Sequence, residues 1–147
     1  MLVKLLPDQV IKEWDVIKYA ITQANYEQLF ATEEAVRDHL RAIILDQMQV
    51  WAITNDETNE FAGIGVTRYN KDQAMNVRRL EIYSLYAFRP ISNRTWAECF
   101  VALRRYAKAN NCSHIMALSD NESVIQLAQQ FGGDTGQRML VFNVGGE

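Results

Sequence analysis

Apolar positions change their spacing several times along this chain, and each change marks a new element. Met1 to Leu6 is a short apolar run closed by Pro7, which predicts a strand. Asp8 is then placed to cap a helix in which Val10, Ile11, Trp14, Ile17 and Ile21 recur near helical spacing, with an end near Asn25. Thr32-Glu33-Glu34-Ala35 resembles a capping box and opens a second helix through Val36, Leu40, Ile43 and Ile44 to about Gln47. Val50 to Thr54 and Phe61 to Tyr69 read as a hairpin around the polar turn Asn55 to Glu60.

A polar link at Asn70 to Asn76 leads to Arg79 to Phe88, long enough to be the central strand. Its strict alternation sets Leu80, Ile82 and Ser84 against Glu81, Tyr83 and Leu85, and predicts Tyr86 on the face opposite Tyr83. Trp96, Phe100, Leu103 and Ala107 make Asn93 to Asn110 an amphipathic helix, with Arg94, Glu98, Arg104, Arg105 and Lys108 on its other face. His114 to Leu118 is a short strand, Ser123 to Phe131 a helix ended by Gly132-Gly133, and Met139 to Val144 a last strand. The order β-α-α-β-β-β-α-β-α-β predicts an α/β (α+β) fold, a mixed and mainly antiparallel sheet flanked by helices. The crossover between Arg79 to Phe88 and His114 to Leu118 should be parallel and right-handed. No internal repeat or linker interrupts residues 1–147, which read as a single domain.

Composition narrows the function classes. With 48% hydrophobic and 22% charged residues the chain can bury a core, and a net charge of −3 offers no overall positive field for a nucleic acid. Cys99 and Cys112 have neither CxxC spacing nor histidine ligands at metal spacing, so both read as thiols in a reducing cytosol and no metal site is expected. No apolar run approaches the ~20 residues that cross a bilayer, and nothing in the start reads as an export signal, so no membrane partner is expected.

Two segments carry a resemblance. Phe88-Arg89-Pro90-Ile91-Ser92-Asn93-Arg94-Thr95-Trp96 follows the central strand and opens a helix. Ser119-Asp120-Asn121-Glu122-Ser123 follows the next strand and opens the helix that ends Phe131-Gly132. With the order of elements, these resemble the GNAT superfamily of acyl-CoA-dependent N-acyltransferases over nearly the whole chain. That resemblance implies an acetyl-CoA or other acyl-CoA cofactor and an amine acceptor. Its pyrophosphate would be held at the helix start by Ser92, Asn93, Arg94 and Thr95, while Asn121 would help hold the pantetheine or the splayed strands. Pro90 stands where the family's proline does and Arg94 matches its loop arginine, but the turn contains no glycine. Trp96 is either the first core-facing residue of its helix or fills the space that CoA would enter. Asn121 serves equally as a helix cap.

Acyl transfer from a thioester needs a route for the amine proton and a donor to the thiolate. Some relatives carry a base on the central strand, which brings in Glu81, and Tyr83 lies two residues on; these are the catalytic candidates. The tyrosine that relatives carry on the helix after the asparagine has no counterpart among Gln126, Gln129 and Gln130. His39 and His114 read as structural, and the pairs Arg78-Arg79 and Arg104-Arg105 as a solvated face or a protein contact. Two classes therefore stay open. One is an acyltransferase. The other is an inactive scaffold of the same fold that binds a protein partner or itself, a reading favoured by a weaker likeness of the ending Phe131 to Gly146 to internal or accessory virion proteins of short-tailed phages. The expected location is cytoplasmic, or the host cytoplasm or the virion if the protein is phage-encoded.

Overall fold

The computed structural model describes residues 1–24, 32–119, 121–137, 140 and 142. Ten elements follow in the order β1 (Leu2–Lys4), α1 (Pro7–Lys12), α2 (Trp14–Ala24), α3 (Glu33–Ile44), β2 (Met48–Thr54), β3 (Phe61–Asp72), β4 (Val77–Ala87), α4 (Asn93–Ala109), β5 (His114–Ala117) and α5 (Glu122–Gln130). As far as the described residues reach, this is the predicted order with one helix more before β2. The predicted last strand, Met139 to Val144, and the helix end near Asn25 lie outside them.

Three local expectations are corrected. The first helix is two helices broken at Glu13. Asp8 is not its cap: Leu6 takes that place with Pro7 at the first helical position, because proline's missing N–H costs nothing there, and Gln9 Oε1 accepts from the Leu6 amide at 2.8 Å. On α4 the buried stripe is Thr95, Cys99, Leu103 and Ala107, with Trp96 and Phe100 only half-buried beside it. The large apolar residues of that helix flank its seam, and smaller ones fill it.

Met1–Ala117 forms one compact unit and Leu118–Glu147 another. In the first, five strands lie in the order β1-β2-β3-β4-β5, antiparallel throughout except for the β4–β5 pair. Alternation along β2 and β3 sends Met48, Val50, Ile64 and Val66 to one face, where they pack with Val10, Ile17, Ala20, Ile21 and Ile43 of the first three helices. Trp51 and Leu80 go to the other face, against Leu103 and Ala107 of α4. Both thiols are unpaired; burial pushes each up from its ordinary range. In the second unit Asn121 caps α5, its Oδ1 accepting from the amides of Ser123 and Val124, and Gly132 (φ 82°) takes the left-handed geometry just past the helix end.

The α4 face carries two polar arrangements. Trp51 Nε1 donates to Thr67 Oγ1, which donates to Gln49 Oε1, so a fully buried glutamine is satisfied. Tyr69 and Tyr106 join hydroxyls at 2.8 Å, and burial is the main reason both phenols are pushed up from the ordinary value. The folded state therefore keeps protons that unfolded phenols release near pH ~10. Stability from this pair is fully present below that pH and is lost as pH rises beyond it. Denaturant midpoints measured from pH 8 to 11 should fall above about pH 10, and Tyr69→Phe should flatten that fall.

Candidate functional site

The central hairpin has one irregularity, and the site is built around it. Val66 pairs with Ser84 but Thr67 pairs with Ile82, so Tyr83 is an extra residue in β4, a β-bulge. An inserted residue inverts the alternation beyond it. Ile82 accordingly packs in the α4 cluster, whereas Tyr83 and Tyr86 both pack in the cluster beneath α2 and α3. The expectation that Tyr86 points away from Tyr83 is corrected for this reason. The parallel pairing with β5 also stops here, running only from Arg79 with His114 to Ile82 with Ala117. From Tyr83 to Ala87, β4 has no strand on that side among the described residues.

Glu81 is buried, with its carboxylate gripped by Arg68 directly across the hairpin. Nε of Arg68 bonds Oε2, and Nη2 bonds Oε1 at 3.3 Å. The Arg68 guanidinium also lies 4.6 Å from the centre of the Tyr83 ring. Tyr83's hydroxyl is 3.3 Å from Nε2 of His39, whose Nδ1 is 2.8 Å from the Ala35 carbonyl. A carbonyl only accepts, so Nδ1 carries a proton, and in the neutral ring Nε2 accepts from the tyrosine. Glu81 and Tyr83 are thus brought together with two residues that sequence reasoning did not assign to the site. Arg68 could have been found from hairpin register. His39 could have been found from its place three residues after Val36 and four before Ile43, on the inward stripe of α3.

The turn after β4 leads into α4. Ser92 caps it, its Oγ accepting from the Thr95 amide at 3.2 Å and donating to Thr95 Oγ1 at 3.0 Å. Thr95 is buried and holds the turn down, its Oγ1 also meeting the Asp56 amide at 3.5 Å. Arg94 is turned along its own helix, Nε lying 3.4 Å from Glu98 Oε1. The Ser92, Arg94 and Thr95 side chains are therefore engaged within the turn and the helix. Neither the cap nor the helix ladder uses the amides of Asn93 and Arg94, which leaves two donors at the positive end of a 17-residue helix. A cavity of about 290 Å³ beside the turn is lined by Asn55, Glu57, Thr58, Pro90, Ile91, Ser92 and Thr95. Glu57 puts a carboxylate in it, a poor setting for pyrophosphate.

Asn121 lies in the second unit as the cap of α5. His114 is exposed, its Nδ1 2.8 Å from Ser113 Oγ. Arg78 stacks on Tyr69 at 3.5 Å and donates to the Asn110 carbonyl, which makes it a structural cation. Among the described residues no group of three or more metal-ligating side chains occurs, and no helix is long and apolar enough to cross a membrane.

No protein-family model and no curated protein matches this sequence. Solved structures do match over nearly its full length. A predicted acetyltransferase with acetyl-CoA from Clostridium acetobutylicum aligns with 98% of this chain and 96% of its own, at 13% identity and a TM-score of 0.73. Glucosamine-6-phosphate N-acetyltransferase from Arabidopsis thaliana aligns with 98% of this chain and 97% of its own, at 13% identity and a TM-score of 0.65. An aminoglycoside acetyltransferase from an uncultured soil metagenomic sample, in complex with sisomicin, aligns with 100% and 96%, at 10% identity and a TM-score of 0.69. The chain has the GNAT fold. At these identities the likeness is one of architecture, and the GNAT fold by itself does not assign a substrate.

Gly63 keeps the bulged half of β4 close to β3. A Cβ there would sit 2.7 Å from the Tyr86 carbonyl oxygen, a backbone atom that cannot swing aside, whereas at Gly65 nothing comes nearer than 3.6 Å. Gly63→Ala should cost about 1–3 kcal/mol in denaturant unfolding. Gly65→Ala, measured alongside, should stay within about 1 kcal/mol of the parent.

Proposed function

We propose that this protein transfers an acyl group from acyl-CoA to an amine. The observation that carries the reading is the bulge at Tyr83, which turns a histidine-bonded phenol to the face packed by α2 and α3 next to the point where the described pairing of β4 with β5 ends. An extended pantetheine arm is matched by a strand edge that no described strand pairs beyond Ile82, whose backbone offers donors and acceptors in a row. The amides of Asn93 and Arg94 fit the pyrophosphate, with the Arg94 guanidinium swinging off Glu98 to add a charge-assisted contact. Ser92 and Thr95 shape the turn.

In the reaction the amine nitrogen attacks the thioester carbonyl carbon, forming the C–N bond as the C–S bond breaks. Tyr83 takes the proton that the nitrogen must lose while its own hydroxyl proton moves to Nε2 of His39. The thiolate leaves, and the proton on the imidazole returns to it or to water. Glu81 is already committed to Arg68, so we assign it a positioning role: it holds the guanidinium over the Tyr83 ring.

The scaffold reading rests on the same turn. Its lack of glycine and the internal use of Ser92 and Thr95 suit a helix start that no longer meets a ligand.

Titration calorimetry with acetyl-CoA separates the two. Binding that Arg94→Ala weakens by about 1–3 kcal/mol is expected, and no heat or thermal stabilisation at millimolar ligand would rule out the acyltransferase. Tyr83→Phe and His39→Gln should each keep acetyl-CoA affinity and lower kcat by roughly 100-fold or more, read by thiol release with a reactive amine.

A further inference from the structure

The inverted alternation of β4 does more than place Tyr83. Tyr86 falls on the same face, three residues or roughly 10 Å further along the open half of the strand. There it joins a group that counts four aromatic rings among the described residues. Tyr86 meets Phe88 edge-on at 5.0 Å and Tyr19 of α2 edge-on at 6.0 Å; Tyr19 stacks with Phe88 at 6.2 Å, and Phe61 of β3 meets Phe88 at 5.6 Å. Rings in contact belong to a core, yet Tyr19 is 50% exposed, Phe61 43% and Phe88 37%. Elsewhere in the molecule aromatic faces are covered by cations, as Tyr69 is by Arg78, Tyr83 by Arg68 and Tyr106 by Lys4. None of these four rings is covered by a described lysine or arginine. A contiguous exposed aromatic patch continuous with a reaction centre has the character of a binding wall.

We propose that Tyr19, Phe61, Tyr86 and Phe88 form the acceptor subsite, and that the acceptor is a small arylalkylamine. This rests on the acyltransferase reading above. The acceptor's nitrogen must reach Tyr83, and its body then extends along β4 over the rings. A flat apolar body on a short alkyl chain spans the interval between Tyr83 and the cluster, and offset or edge-on packing with the rings holds it. A polyhydroxylated or polycationic sugar would need carboxylates and hydrogen-bond partners along that strand. Here the Glu81 carboxylate of β4 is taken by Arg68, and the four rings themselves offer only the phenol hydroxyls of Tyr19 and Tyr86.

The experiment is acetyl-CoA turnover with phenethylamine, hexylamine, glucosamine 6-phosphate and sisomicin, together with the Tyr19→Leu and Phe88→Leu variants. Both replaced side chains are partly exposed, so thermal melts should show the variants folded. Phenethylamine should be used with a kcat/KM at least about tenfold above the other three. Each variant should lose about tenfold for phenethylamine, through KM, with acetyl-CoA affinity unchanged. Equal or better use of a sugar amine, or variants indistinguishable from the parent, overturns the subsite while leaving the acyltransferase standing. If acetyl-CoA does not bind, the acyltransferase fails first. Ring-proton shifts of the four residues on adding phenethylamine alone then decide the subsite: movement confined to the cluster supports it, and none removes it.

Discussion

One extra residue in the middle of the sheet sets most of what is distinctive here. Without the bulge, β4 would carry Tyr83 and Tyr86 on opposite faces. The insertion is tolerated because the strand around it is held from both ends. Leu80 is fully buried under α4, and Gly63 lets the far half of β4 lie close to β3. The strain of a local break in the ladder is thus borne by a well-packed core on one side and a side-chain-free contact on the other.

The same break determines where charge can be buried. Glu81 sits just before it on a face otherwise lined by Ile17, Ile21, Val50 and Val66, and an isolated carboxylate there would be costly. Arg68, its cross-strand partner, offsets that cost through two hydrogen bonds while remaining partly exposed. The guanidinium then covers Tyr83, and Tyr83 reaches His39 on α3. Three elements distant in sequence are coupled by a polar chain in which each member orients the next, an arrangement more sensitive to loss of one member than pairwise terms suggest.

At the start of α4 the physics of helix ends does work that side-chain identity obscures. A turn free of glycine reads as a blocked anion site. Yet Ser92 folds back as the cap, Thr95 goes under the turn and Arg94 lies along the helix, so among the described residues the Asn93 and Arg94 amides are not used by the cap or the helix ladder. Backbone donors at a helix start depend on the direction of the side chains, and residue type alone does not reveal that direction.

By itself the sequence determined most of the order of elements and the starts of several helices, because periodicity and capping residues act locally. Thr32 and Ser92 cap their helices as the local pattern requires, and Glu81 and Tyr83 stand out as the polar residues of a central strand. Strict period two, however, cannot show a residue inserted against a partner strand, so the facing of Tyr86 was misread. The split at Glu13 and the smaller seam residues of α4 were also hidden, since both answer to what packs opposite. Only the tertiary structure brought Arg68 and His39 to Tyr83 and gathered Tyr19, Phe61, Tyr86 and Phe88. Those meetings are set by strand register and by the packing of α2 and α3 on the sheet, contacts between residues that no local spacing relates.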